Sequence, residues 1–137
     1  MRKFTTDSAE PVWLVNERTQ CVIARQVHVA LSRRARRRGL LGRSGIDATA
    51  ALVLAPCWTI HTAFMRFAID VLFVDREGRA LRVVHALKPW RTAASVRAYA
   101  AIELKAGVAK EHGVEVGDCL RLASAAPVPF SSSASEC

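Results

Sequence analysis

The chain has no apolar run near the roughly 18 residues that a membrane-crossing helix requires. Its longest candidate starts at Ala50 and stops at Pro56. Heptads, a Gly-X-Y period and repeats of solenoid length are all missing, which excludes coiled coils, collagen-like rods and repeat arrays. Cys21, Cys57, Cys119 and Cys137 form no C-x-x-C pair and are irregularly spaced, so no structural zinc site is expected. No apolar segment follows Met1-Arg2-Lys3, so neither a secretion signal nor membrane association is expected. A reducing, cytoplasmic setting with four free thiols follows as the expectation. The glycine-bearing stretch Gly39-Leu40-Leu41-Gly42-Arg43-Ser44-Gly45 lacks the lysine of a phosphate-binding loop. No cofactor is implied by any of these features.

What remains is globular. The 137 residues are 51% hydrophobic and 23% charged, which fits one domain with a core of its own. Basic residues number 20 against 12 acidic ones, a net charge of +8. Six of the arginines (Arg33, Arg34, Arg36, Arg37, Arg38 and Arg43) lie within eleven residues that contain no acid. Without them the chain carries 14 basic against 12 acidic side chains. The basicity is one patch.

Residues 1–11 are polar and read as a loose lead-in, residues 12–122 as a single domain, and residues 123–137 as a disordered Ala/Ser/Pro tail. Val12–Val15 and Val22–Val29 flank a polar turn and predict a hairpin. Leu31–Arg38 predicts a surface helix, with Ser32 near its start, Gly39 at its end and Leu40 and Leu41 as its anchor. Further strands are expected at 50–55, 69–74, 80–86, 99–104 and 119–122, with Asp75–Gly78 as a turn and a second short helix at 107–112. Together these predict an α+β domain, mainly antiparallel β, as a curled sheet or partial barrel with two short helices.

Three segments occur in a telling order: Arg36–Arg43, ending in Gly-Leu-Leu-Gly-Arg; His61-Thr62-Ala63-Phe64-Met65-Arg66-Phe67-Ala68-Ile69-Asp70; and Glu103–Gly107 followed by Gly113–Asp118. In this order they resemble the bacterial and archaeal family called domain of unknown function 192, over residues 12–122. The resemblance implies a small, mainly β fold and brings no activity with it. Many members of that family carry a secretion signal and a Trp-Met-Lys-Asn-Thr type segment. This chain instead reads Ile60-His61-Thr62-Ala63-Phe64-Met65, so no role of that Lys or Asn transfers.

Several residues could carry chemistry. Cys57 and His61 share strand parity, and with Asp70 or Glu103 they could form a thiol, base and orienting acid. Cys57 and His61 with a third ligand could also hold a metal, although no metal is expected. Asp70 interrupts an apolar strand and must be paired, either by Arg43 or Arg66 or by backbone N–H groups near the 39–42 turn. Glu103 falls opposite Ile102 and Leu104 in parity, so it is expected to face solvent or a groove, or to act as a cap. Arg43, Arg66, Asp70 and Glu103 are the candidate ligand contacts. Arg33, Arg34, Arg36, Arg37 and Arg38 could neutralise phosphates of a nucleic acid, or form a solvated helix face. The leading expectation is a domain that binds an unidentified small molecule or protein. A small hydrolase using Cys57 or Asp70 with His61 comes second, and low-specificity nucleic-acid binding third.

Overall fold

The most apolar stretches of the chain become neighbouring strands at the middle of one sheet. The computed structural model describes residues 12–124. In chain order these form β1 (Val12–Asn16), β2 (Cys21–Ala24), β3 (Gln26–Ala30), α1 (Arg33–Arg38), β4 (Ala50–Leu54) and β5 (Thr59–His61). There follow β6 (Ile69–Val74), β7 (Ala80–Leu87), β8 (Thr92–Ala94), β9 (Ala100–Lys105), α2 (Val108–Glu111) and β10 (Leu120–Ser124). β10 thus includes Ala123 and Ser124. The lead-in and the rest of the expected tail lie outside the described residues.

The strands part into three sheets, ordered β10-β1-β2, β3-β4-β9-β6-β7 and β5-β8. All pairings are antiparallel except β3 with β4, whose connection carries α1, as a parallel pair needs a long crossover. One face of the five-stranded sheet presents Val53, Leu72, Ile102 and Leu104 to α2 and to Leu14, Ile23 and Leu122 of the three-stranded sheet. The opposite face presents Leu54, Val71, Phe73 and Ala101 to Ile60 and Ala93 of the β5-β8 ribbon and to Leu40. Both faces are covered. Every residue of β6 is therefore buried, as are the first five of β9.

Three expectations need correction. The single strand expected at 22–29 is broken at Arg25, because the N–H groups of Arg25 and Gln26 both donate to the Thr49 carbonyl, at 2.8 and 3.1 Å. Its two halves join different sheets. No curled sheet or partial barrel is found among the described residues, since that break, together with the separate β5-β8 ribbon, divides the strands. Finally, Cys57 and Cys119 are free thiols but Cys21 is disulfide-bonded, a pairing that spacing along the chain could not reveal.

Two buried carboxylates tie the layers together. Asp70, with no exposed surface, accepts from the N–H groups of Ala86 (2.8 Å), Gly107 (3.0 Å) and Ala109 (2.9 Å). One side chain thus fixes the end of β7 and the start of α2 to β6. Arg43 and Arg66, its expected cationic partners, are both exposed; the donors are backbone N–H groups, but they come from β7, Gly107 and α2 and not from the 39–42 turn. Asp118 is also buried and receives Asn16 Nδ2 at 2.8 Å, Arg18 Nε at 2.5 Å and the Glu115 N–H at 2.8 Å. Burial alone would raise its pKa, but the Arg18, Glu115 and Asn16 hydrogen bonds hold it below the usual carboxylate range.

Asp70→Ala leaves these donors without an acceptor and should cost about 3 kcal/mol or more. Asp70→Asn should cost nearly as much, because its amide NH2 would face donors. Urea unfolding at constant slope measures both; parent-like stability of either variant would contradict the anchoring role.

Candidate functional site

A helix with so thin an apolar stripe needs its ends secured. Ser32 Oγ accepts from Ala35 N at 3.0 Å, and the N–H of Gly39, at φ 45°, donates back to the Ala35 carbonyl at 3.0 Å. Leu40 then inserts into the core. Arg36 is tied sideways, its guanidinium donating to the carbonyls of Leu31 at 2.5 Å and Ala55 at 3.5 Å. These contacts hold α1 beside the end of β4. On the other side, the Cys57 N–H donates to the Tyr99 carbonyl at 2.8 Å, and pairing of β5 with β8 positions Thr59, Ile60 and His61.

Between these elements lies a cavity of about 290 Å³. Its charged wall consists of Arg33, Arg36, Arg37, Arg38 and Glu103, its apolar wall includes Leu40, Leu54, Ile60 and Met65, and Cys57, Thr59 and His61 complete the lining. The fold therefore brings together Cys57, His61, Glu103 and four of the five α1 arginines. Asp70, Arg43, Arg66 and Arg34 do not line it. A wider, more open depression of about 400 Å³ lies by Asp75, Arg76, Glu77, Arg97 and Tyr99, but Asp75 is already engaged in its own turn, with the N–H groups of Glu77 and Arg79.

Glu103 departs from its expected solvent-facing or capping role. It does point to the opposite side of the sheet from Ile102 and Leu104, yet that side is covered, and Glu103 is only 3% exposed. Its Oε1 has no hydrogen-bond partner among the described residues. Burial raises its pKa to about 7. The four lining arginines have no ion-pair partner among the described residues. Arg33, Arg37 and Arg38 are exposed and Arg36 half-buried.

Cys57 donates its thiol to the Thr59 carbonyl at 3.1 Å. Burial pushes that thiol up, and the nearby Glu103 carboxylate adds to the effect, while Arg36 opposes it. The thiolate needed for nucleophilic attack is thereby disfavoured. Among the described residues, no three of His, Cys, Asp and Glu group so as to hold a metal ion. The arrangement is suited to attracting an anion and to hydrogen-bonding at a buried carboxyl. Sequence reasoning missed the apolar wall, and the short β5 and β8 strands that close it carried little strand signal of their own.

The raised Glu103 pKa has a defined sign. The folded carboxyl titrates near 7 and the unfolded one near 4.5, so in this window the native state binds more protons. This one group therefore lowers stability as pH rises from about 4.5 to about 7, by about 3 kcal/mol, and contributes no slope above that. Glu103→Leu should be more stable than the parent at pH 8, with the difference shrinking toward pH 5. Urea midpoints at the two pH values check this, and a pH-independent difference would contradict it.

The whole-chain comparisons agree with this fold. A protein of unknown function from Novosphingobium aromaticivorans DSM 12444 superposes with a TM-score of 0.67 at 18% identity, covering 88% of this chain and 93% of that one. A protein from Sinorhizobium meliloti 1021, provisionally named a transcription regulator, superposes with a TM-score of 0.68 at 20% identity, covering 82% and 92%. At such identities the likeness is one of fold. No curated protein matches the sequence. The model of DUF192, described as an uncharacterized ACR, matches residues 14–122, and the chain belongs to that family.

Proposed function

We propose that this domain binds a small molecule in the cavity beside α1 and acts as a binding module, not a catalyst. The observation that carries the reading is Glu103: a buried carboxyl with an unpartnered oxygen, in a cavity wall whose other charged residues are arginines. A group so placed destabilises the fold, and groups of that kind concentrate where a protein does its work. The hydrolase alternative is less well supported. Burial keeps the Cys57 thiol protonated, and the Asp70 carboxylate is committed to three backbone N–H groups outside the cavity lining.

Nucleic-acid binding is the second reading, supported by the uninterrupted basic face of Arg33, Arg34, Arg36, Arg37 and Arg38 and by the name given to the Sinorhizobium meliloti protein. A concave wall suits a small ligand better than a duplex.

Native mass spectrometry of the full chain after incubation with a small-molecule cell extract tests the choice. The parent should retain a bound compound, and Thr59→Trp, which fills the cavity from its rim, should lose it. Equal retention by both, or none by either, contradicts the reading. Tight binding of duplex DNA with a steep salt dependence, unchanged in Thr59→Trp, would favour the second reading instead.

A further inference from the structure

The chemistry of the walls narrows the class of ligand. Four arginines and a single glutamate are the charged residues of the cavity lining, and among the described residues none of the four arginines is neutralised by an ion pair. A cationic ligand would be repelled there, whereas an anion meets planar, multidentate donors. Arg36 has two donor contacts to backbone carbonyls, which steady its guanidinium without cancelling its charge. The apolar wall of Leu40, Leu54, Ile60 and Met65 suits a short carbon skeleton. The volume, about 290 Å³, lies at the small end of ligand cavities, which span roughly 300–1,000 Å³. Glu103 Oε1 still needs a donor. Among so many arginines, a neutral hydroxyl meets that need without the repulsion an ammonium would suffer.

We infer that the cavity takes a small hydroxylated organic anion, its anionic group held by the α1 arginines and a hydroxyl meeting Glu103. This rests on the cavity being a ligand site, and it goes further by fixing the ligand's charge and its second polar group. The anionic group is a carboxylate or a phosphate monoester, two sources of the same recognition.

Isothermal titration of the full chain at pH 8 separates the possibilities. The probes are 3-hydroxybutyrate and glycerol 3-phosphate as hydroxylated anions, butyrate as the deoxy control, glycerol as the uncharged control and choline as the cation. One of the two hydroxylated anions should bind, and which of them binds identifies the anionic group. Were 3-hydroxybutyrate the ligand, butyrate should bind about tenfold more weakly, the value of one hydrogen bond to a charged group. Arg36→Ala with Arg37→Ala should weaken either anion by about tenfold or more. Glu103→Leu, shown folded by its urea transition, should bind 3-hydroxybutyrate and butyrate alike, or lose most of its affinity for glycerol 3-phosphate. Preferential binding of choline or glycerol, abolished by Thr59→Trp, would overturn the ligand class and leave the cavity reading standing. Binding of every probe unchanged by Thr59→Trp, or of none, would overturn both.

Discussion

A carboxylate placed in a strand that is covered on both faces must find its hydrogen-bond donors inside the protein, and Asp70 shows the constraint met. Its three backbone donors come from the end of β7, from Gly107 and from the first turn of α2. Those segments are distant in sequence and would otherwise end in unpaired N–H groups. Because β6 lies between β9 and β7, a single side chain sets the register of the central sheet against α2. The layer on the opposite face depends on that sheet being fixed.

Glu103 sits one strand away under the same constraint, with the opposite outcome. It pairs in register with Val71 of β6 and Leu52 of β4, and so looks into the layer formed by the ribbon and the segment after α1. Among the described residues, no backbone N–H is offered there to its Oε1. The two acids differ in chemistry because they differ in neighbours: one is satisfied and structural, the other is enclosed and titrates near neutrality. The α1 arginines complete the contrast, since their charge is gathered at the wall of the same cavity.

Local signals in the sequence were legible where they carried their own geometry. Ser32 and Gly39 bound α1 as their residue types imply, and the Asp75–Gly78 turn forms with Gly78 at φ 86°. The parity of Asp70 and Glu103 was also readable, and each lies on the face that parity assigns. What the sequence could not supply was the cover over the second face of the sheet. That cover includes the three-residue strands β5 and β8 and Met65, which join the expected anchor Leu40 over this face. Without it Glu103 reads as a surface acid. The donors to Asp70 were equally hidden, because backbone N–H groups carry no residue signature.

The ligand site depends on the state of one side chain, Glu103. A carboxyl-carbon NMR titration of the protein, with the Glu103 resonance assigned by its loss in Glu103→Gln, measures that state directly. The expected midpoint is near 7, well above the ordinary value of 4.5. A midpoint at the ordinary value would mean that Glu103 is solvated or paired in solution, and the cavity would lose the group on which its assignment rests.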